Sequence, residues 1–547
     1  MMPRRFIPGR RSWVLGLVVL LPLLAPACRR ASGDAPAAPE MPARRRGRPP
    51  VVVVGIDGAE WRVIRGLWAE DRLPNLRRLA EAGTSATLKT AYGSSPVIWT
   101  TIATGRTPDE HGIIDFVANT TQGMVPVSSS QRRVPALWNM ASRARLRTAV
   151  LGWWASWPAE DIDGVIVTDR AHLEVDRVVH PGSYLPGLQR ERERARGEYP
   201  GLGGRLPTPD PWMEDGAFRD RIMAHEARHL AGLGFDLFLV YFRTVDIASH
   251  RYWKFYDPGL YPGTPAEDVR RFAHVIPEVY EATDQALGDL LAACPKGSNV
   301  FVVSDHGFVS GPDQPFVIVN TERLLEHLGF LVRKGEGVDF PRSVAYPVDS
   351  PNHARLKKLR LSRAGREPQG RVSPDAAAAE LDRLARALEG VTYEGAGPVF
   401  RVVRPDPPGD ADLTAEVSLT SPSLRVRAGA ETYDDVVMYV NSISGTHDAS
   451  TNGVFIAAGP DLAPGARADG VSVLDLAPTV LYALGLPTGE DFAGRARDDL
   501  FTAAYRARHP LWTVPSWGTM ASWRVESSPV DAKLLEELRA LGYVSSP

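Results

Sequence analysis

The chain has 547 residues, a formal net charge of -2 and 44% hydrophobic residues. These values are typical of a globular protein long enough for one large domain or several smaller ones, and the near-neutral charge gives no reason to expect a nucleic-acid partner. The two cysteines, Cys28 and Cys294, do not make a disulfide framework.

Residues 1–28 have the pattern of an export signal. Basic residues precede the apolar run Trp13–Leu24, which is too short to favour a membrane-spanning helix. Small residues then lead to Cys28, and this order is similar to a bacterial lipoprotein signal, whose cysteine becomes lipidated. An ordinary cleaved signal, an uncleaved anchor and a twin-arginine signal are the alternatives. We expect an exported lipoprotein, anchored to the membrane and facing the periplasm or cell exterior.

Residues 29–50 are rich in Pro, Ala and Arg and predict a disordered tether. The next stretch, Val51–Gly58, has the sequence VVVVGIDG. A continuous β-branched run predicts a strand buried on both faces, as in a parallel sheet covered by helices. Ligands bind outside the carboxyl ends of such strands, so Asp57 is an acid placed at a candidate site.

A second key stretch, Tyr92–Phe116, has the sequence YGSSPVIWTTIATGRTPDEHGIIDF. Ser94 and Ser95 precede Pro96, which is favourable chemistry for the start of a helix. A hydroxyl there lies at the positive end of the helix and suits an anionic group. The alternative is that the serine only caps the helix.

Three further positions carry acids or histidines close to predicted strands. Asp246 and His250 follow the run FDLFLVYF at a spacing of four, which directs both side chains to one side of a helix. Asp305 and His306 follow NVFVVS, and His447 precedes the strand GVFIAA. These residue types are good metal ligands. The alternatives are a surface Asp–His pair, a polar turn and a loop histidine.

The organisation of the chain follows from these elements. Residues 51–310 and 446–500 hold the strands and motifs, and we assign them to one catalytic core. Residues 311–445 have few buried-strand signals and predict an inserted cap or side subdomain, although Pro374–Leu388 favours a helix. Residues 501–547 form a C-terminal extension, and residues 180–215, rich in Pro, Gly and Arg, predict a long excursion or insertion.

The motifs together resemble the alkaline phosphatase superfamily, and most closely its type I phosphodiesterase/nucleotide pyrophosphatase branch. The segments that carry the resemblance occur in the family's order over about residues 50–490: VVVVGIDG, LPNLRRLAEAG, SPVIWTTIATGRTPDEHGI, DIASH, VVSDHGF, SGTHDASTNGVFIAAGP and VSVLDLAPTVLYALGLP. The resemblance implies an α/β fold, a doubly wound and mostly parallel sheet with helices on both faces, plus the inserted cap.

The resemblance also implies a site with two zinc ions, or Mn²⁺ in their place. One zinc would be held by Asp57, Asp305 and His306, and the other by Asp246, His250 and His447. The nucleophile of the family falls on Ser95, with Ser94 as the neighbouring alternative. The hydroxyls of Thr100 and Thr101 lie within the following helix, where we expect them to bond to the backbone.

Two departures from the relatives matter. The nucleotide pyrophosphatases place an Asn shortly after HGI, whereas the matched position here is Phe116, which weakens any transfer of nucleotide specificity. Sulfatases need Cys/Ser-x-Pro-x-Arg at the nucleophile, whereas Pro96 here is followed by Val97-Ile98-Trp99. Sulfate ester hydrolysis through formylglycine is therefore not expected.

The predicted activity is hydrolysis of phosphate esters, with a preference for diesters, through a covalent phosphoserine. The alternatives are a phosphomonoesterase, a transferase that passes the phospho-group to a lipid or glycan, and a non-catalytic, metal-stabilised binding protein. The tryptophans Trp99, Trp153, Trp154 and Trp253 are either core residues or the lining of a leaving-group pocket.

Overall fold

The structure, a computed structural model, describes residues 48–120, 123–173, 175–201, 211–311, 316–335, 337–349, 356–403, 411–418, 425–440, 444–466, 468–520 and 524–540. The predicted signal, the lipidation position Cys28 and most of the predicted tether lie outside these residues. Cys294 is buried, as its position at the end of an apolar helix predicts.

A central sheet of eight strands organises the fold. Its strands are β1 (Val51–Ile56), β2 (Thr84–Leu88), β3 (Thr148–Leu151), β4 (Gly164–Val167), β5 (Val179–His180), β6 (Leu237–Phe242), β7 (Asn299–Val303) and β8 (Gly453–Ala458). Their order is β2-β8-β7-β1-β6-β3-β4-β5. The inner strands β7, β1, β6, β3 and β4 are parallel, while β8 and β5 each pair antiparallel with a neighbour. The predicted doubly wound, mostly parallel α/β sheet is confirmed.

Helices cover the sheet. The described helices are α1 (Trp61–Ala69), α2 (Pro74–Ala82), α3 (Ser95–Thr104), α4 (Pro108–His111), α5 (Leu137–Arg143), α6 (Leu185–Glu198), α7 (Pro211–Ala231), α8 (Thr244–Tyr256), α9 (Ala266–Phe272), α10 (Val275–Ala293), α11 (Thr321–His327), α12 (Ala377–Glu389), α13 (Leu476–Leu484), α14 (Ala503–Arg508) and α15 (Asp531–Ala540). Within the part of the chain that the structure describes, no helix combines the length and apolar character needed to cross a bilayer.

The four valines of β1 show why both faces of the sheet are covered. Val52 and Val54 pack into one hydrophobic core, and Val51 and Val53 pack into a second core on the opposite face. Side chains alternate between the two faces of a strand, so a strand that is apolar at every position needs a core on each side.

The inserted region forms its own small sheets. One sheet has four strands, in the order Ala345–Asp349, Leu356–Leu361, Leu413–Val417 and Phe400–Val403. A second sheet has three strands, Val391–Tyr393, Val426–Ala428 and Glu431–Tyr433. Two further strand pairs are Phe316–Val319 with Val437–Val440, and Arg333–Lys334 with Gly337–Val338. These strands enclose a separate apolar cluster with α11 and α12. The sequence did not reveal the strands, because they are short and carry charged residues on their exposed faces. The boundaries of the cap and of the other predicted segments stay predictions.

The excursion at 180–215 contains a helix that the sequence also did not reveal. Helix α6 buries only Leu188, Glu191 and Ala195, so it has no clear apolar period. It lies against α7. Three strand pairs complete the described structure: Val117–Thr120 with Gly123–Pro126, Val309–Ser310 with Gly445–Thr446, and Thr488–Gly489 with Thr513–Val514.

Gly55 in β1 allows α3 to pack closely against the sheet. A Cβ at this position would lie 2.7 Å from Cζ3 of Trp99, whose ring is fully buried. We expect Gly55→Ala to lower the free energy of unfolding by about 1–3 kcal/mol through overpacking. The measurement is the thermal unfolding midpoint, with Gly197→Ala as the control because its added Cβ meets nothing within 4 Å. Equal midpoints for the two variants would contradict this packing.

Candidate active site

Three carboxylates meet at the carboxyl ends of three adjacent parallel strands. Asp57 directly follows the central strand β1, and its backbone N–H donates to the carbonyl of Phe242, the last residue of β6, at 2.9 Å. Asp305 follows β7, and Asp246 lies in the first turn of α8, which begins directly after β6. These carboxylates are almost completely buried, with at most 2% of each residue exposed.

His306 lies at the centre of this group and is fully buried. Its Nε2 atom is 3.4 Å from Oδ2 of Asp305, 3.5 Å from Oδ1 of Asp57 and 3.9 Å from Oδ1 of Asp246. Its Nδ1 atom is 3.1 Å from the carbonyl of Gly307, which can only accept a hydrogen bond. The proton of the neutral ring is thus on Nδ1, and the lone pair of Nε2 faces the carboxylates.

The potential ligand atoms form two groups that share His306. Asp57, Asp305 and His306 form one group, and Asp246, His306 and His447 form the other; within each group the ligand atoms lie within 4.8 Å of one another. The ring of His447 stacks on the ring of His306 at a centroid distance of 3.5 Å. The first group is the predicted set for one ion, whereas the second has His306 where the sequence predicts His250.

His250 lies beside the second group. Its Nε2 atom is 3.4 Å from Oδ1 of Asp246, and its Nδ1–H donates to the carbonyl of Gly445 at 3.1 Å. This second hydrogen bond directs the Nε2 lone pair towards Asp246, as it does in histidines that bind metals. The structure therefore brings all six predicted ligands together, with His306 in the middle.

The serine of the motif lies against this cluster. Helix α3 begins at Ser95, whose Oγ atom is buried and lies 3.4 Å from Nε2 of His306. Ser94 is the N-cap residue, but its side chain makes no capping hydrogen bond, so simple capping does not account for it. The Thr100 hydroxyl donates to the backbone carbonyl of Pro96 as expected, whereas the Thr101 hydroxyl instead lies 3.0 Å from a histidine ring nitrogen, Nε2 of His111.

The site is electrostatically unfavourable without a cation. Burial raises the pKa of Asp57, and the carboxylates of Asp305 and Asp246 raise it further. Burial raises the pKa of Asp305 to about 7 and lowers the pKa of His306. Two buried oxygens, Oδ1 of Asp57 and Oδ2 of Asp305, accept no hydrogen bond from the described residues. Carboxylate oxygens and imidazole nitrogens that lie this close together are a donor set that fits zinc.

Side chains that the sequence did not single out join the loops after β1 and β7. The Ser304 hydroxyl accepts from the Ala59 N–H at 2.8 Å and donates to the His306 carbonyl at 2.6 Å. The Glu60 carboxylate accepts from the Phe308 N–H at 3.1 Å. A serine or glutamate in a loop has no spacing pattern that would indicate such a role.

Tyr241 is the other residue that sequence analysis missed. Its hydroxyl donates to Oδ2 of Asp57 and accepts from Nε1 of Trp154 at 2.7 Å. Tyr241 is in β6, in register with Gly55 of β1. In the sequence Tyr241 is indistinguishable from an aromatic residue of the core. Its one distinguishing feature is a hydroxyl group near the end of an otherwise apolar strand.

Most of the tryptophans belong to the core. Trp99, Trp153 and Trp253 are fully buried, so the leaving-group pocket is not lined by them; Trp154 is half-buried. Phe116 is also buried, with its ring packed edge-on to that of Trp154 at 5.7 Å. Its hydrocarbon side chain cannot replace the polar contact of an Asn.

A family match supports the resemblance to the alkaline phosphatase superfamily. The family described as type I phosphodiesterase / nucleotide pyrophosphatase matches residues 51–441, and the chain belongs to that family. It is therefore a phosphoric ester hydrolase of a metal-dependent family. A comparison with curated protein sequences gives no match.

Solved structures with a similar fold are distant in sequence. Phosphonoacetate hydrolase from Sinorhizobium meliloti 1021, solved with phosphonoformate, is 16% identical with a TM-score of 0.49, and the alignment covers 80% of this chain and 95% of that chain. Human ectonucleotide pyrophosphatase/phosphodiesterase 5 is 13% identical with a TM-score of 0.48, and the alignment covers 83% of this chain and all (100%) of that chain.

Mutual repulsion of the carboxylates gives a test without substrate. We expect Asp305→Asn to stabilise the metal-free protein at pH 8 by about 2 kcal/mol, because it removes a buried charge. The folded-state pKa of Asp305 is raised, so deprotonation costs stability as the pH rises towards and through about 7, and the gain shrinks below that pH. The measurement is the unfolding midpoint in chelator at pH 5 and pH 8.

The control is Glu267→Gln, which neutralises an exposed carboxylate at the start of α9. It is expected to shift the midpoint little at either pH. A loss of stability in metal-free Asp305→Asn at pH 8 would show that the carboxylates do not repel one another as the structure implies.

Proposed function

We propose that the protein is an exported phosphodiesterase in which Ser95 attacks the phosphorus of a phosphate diester at a site with two zinc ions. The family match supports ester hydrolysis. The observation that carries the proposal is the position of the Ser95 hydroxyl, 3.4 Å from His306 inside a buried group of carboxylates and histidines.

The ligand assignment follows the two groups of side chains. Asp57, Asp305 and His306 would hold the ion nearest to Ser95, and Asp246, His250 and His447 would hold the other. Such ions neutralise the buried carboxylates and the phosphate, lower the pKa of the attacking hydroxyl and offset charge on the leaving oxygen. Three histidine ligands favour zinc over Mn²⁺.

The chain's own groups orient the reaction. Ser95 is the first residue of α3, so its hydroxyl lies at the positive end of a ten-residue helix, where the anionic phosphate is stabilised. In-line attack by Oγ breaks the bond from phosphorus to one alcohol, which leaves with a proton, and the phosphorus stays on Ser95 with its second ester group still attached. Attack of water on this covalent intermediate releases a phosphate monoester and restores the free hydroxyl of Ser95.

Diesters are the preferred substrates in this proposal because the matching family is named for them. A phosphomonoesterase uses the same serine but forms a phosphoserine without a second ester group, and a transferase passes the phospho-group to a lipid or glycan alcohol instead of water. A binding protein without activity has no use for a serine in the cluster. The proposed location, a lipid anchor on Cys28 that faces the periplasm or cell exterior, is supported by the N-terminal sequence pattern.

The nucleophile is tested with bis(p-nitrophenyl) phosphate and p-nitrophenyl phosphate in the presence of zinc. We expect Ser95→Ala to lower kcat for the diester by about 10³-fold or more, because the variant lacks the hydroxyl that lies 3.4 Å from Nε2 of His306. Ser94→Ala is the matched control, one residue away, and is expected to keep kcat within a few-fold.

The opposite ranking of the two serine variants would move the nucleophile to Ser94. Faster turnover of the monoester than of the diester would make the protein a phosphomonoesterase, and zinc binding without turnover of either ester would leave the transferase and binding alternatives.

The hydrogen bond from Tyr241 to Asp57 gives a test of the metal site. We expect Tyr241→Phe to weaken zinc binding about tenfold, because the partner that holds a ligand carboxylate in place is lost. The measurement is calorimetric titration of the metal-free protein with zinc, with Tyr433→Phe in the cap as the control. If Tyr241→Phe binds zinc with unchanged affinity, then either Asp57 is not a zinc ligand or Tyr241 does not position it.

A further inference from the structure

A large cavity lies beside the candidate active site on the same edge of the sheet. It has a volume of about 840 Å³, which is in the range of small-molecule binding sites. Its floor comes from the ends of β3, β4 and β6, through Gly152, the segment from Asp169 to Leu173, and Arg243. Helices α6 and α7 form one wall, and α15 contributes Lys533 and Leu538 to another.

The cavity and the active site share one partition. Tyr241 and Trp154 line the cavity, and the same Tyr241 hydroxyl donates to Asp57 while accepting from Trp154. A ligand with its phosphate near Ser95 would reach the cavity if one of its ester groups passed Tyr241 and Trp154 along the edge of the sheet. Ligands of open α/β sheets bind along this edge.

The acids that line the cavity are already occupied by protein donors. Asp169 accepts from the N–H groups of Ala155 and Trp157, and Asp220 accepts from the N–H groups of Arg243 and Thr244. The other two acids form ion pairs: Glu226 with Arg192 at 2.6 Å, and Asp215 with Arg219 at 2.5 Å.

The lining carries more positive than negative charge. Besides His172 it has six cationic and four acidic side chains. Arg196 of α6 and Lys533 of α15 line the cavity from two different helices and are exposed, and neither belongs to the ion pairs above. The Arg170 guanidinium, which belongs to the floor, holds α15 through a 3.0 Å contact with Asp531. Burial also raises the pKa of Asp169 and of Asp220.

We propose that this cavity binds one ester group of the substrate and selects an ester group that carries a second anion, such as a phosphate, phosphonate or carboxylate. The inference rests on the proposed phosphodiesterase function. It assigns Arg196 and Lys533 as specificity-determining residues; neither is one of the six candidate metal ligands. The volume admits a group of the size of a sugar phosphate.

The test compares two diesters that both release p-nitrophenol: ethyl p-nitrophenyl phosphate and 2-phosphonoethyl p-nitrophenyl phosphate. The wild-type protein is expected to have the higher kcat/KM for the phosphonoethyl ester. In the double variant Arg196→Gln with Lys533→Gln, the ratio of kcat/KM for the phosphonoethyl ester to that for the ethyl ester falls about five- to tenfold. The control is Arg194→Gln, an exposed arginine of α6 that is not part of the lining, in which the ratio stays as in the wild type.

An unchanged ratio in the double variant, or an equal fall in Arg194→Gln, would overturn the assignment. The failure of the proposed function is a separate result, namely that neither ester is hydrolysed. In that case calorimetric titration of the protein with each ester tests the assignment of the cavity. The assignment is supported if the phosphonoethyl ester binds more strongly than the ethyl ester and this difference is lost in the double variant. Equal binding of the two esters rejects it.

Discussion

The structure depends on the convergence of Asp57, Asp246 and Asp305 at the ends of three adjacent parallel strands. Parallel pairing in register places the strand ends at one edge, so acids that are far apart in sequence become neighbours. Their charges are buried, and burial raises the pKa of Asp57 and Asp305. Such an arrangement is unfavourable alone and favourable around cations, and this links the fold directly to metal-dependent chemistry.

The remaining contacts of the site maintain this arrangement. Ser304 and Glu60 join the loops after β1 and β7, and Tyr241 holds Asp57 from the neighbouring strand. Trp99 packs on Gly55 one helical turn after Ser95, so the position of the serine is fixed by the same strand that carries Asp57. The cavity behind Tyr241 lies along the same edge of the sheet, and its lining has more cationic than acidic side chains, unlike the cluster of Asp57, Asp246 and Asp305.

The central sheet could be predicted from the sequence because its strands are continuous apolar runs that end in polar residues. The run of valines at 51–54 and the apolar strands before Asp246 and Asp305 leave no alternative to buried parallel strands with polar residues at their ends. It predicted which residues gather at the site, but not that His306 lies within both groups, because that depends on the ring orientation.

Other features gave no usable pattern. The strands of the cap are short, α6 buries only three side chains, and Tyr241 was indistinguishable from a core aromatic residue. The roles of Ser304 and Glu60 arise only when two loops approach each other in the folded chain. The cavity forms where α6 and α7 meet α15, which lies far along the chain from them.

Anomalous diffraction at the zinc absorption edge, from crystals grown with zinc, tests most directly whether the cluster of carboxylates and histidines binds two zinc ions. We expect two peaks at the ends of the strands. One lies within coordination distance of Asp57, Asp305 and His306, and the other within coordination distance of Asp246, His250 and His447. No anomalous peak at this cluster, in crystals that contain excess zinc, would contradict this expectation.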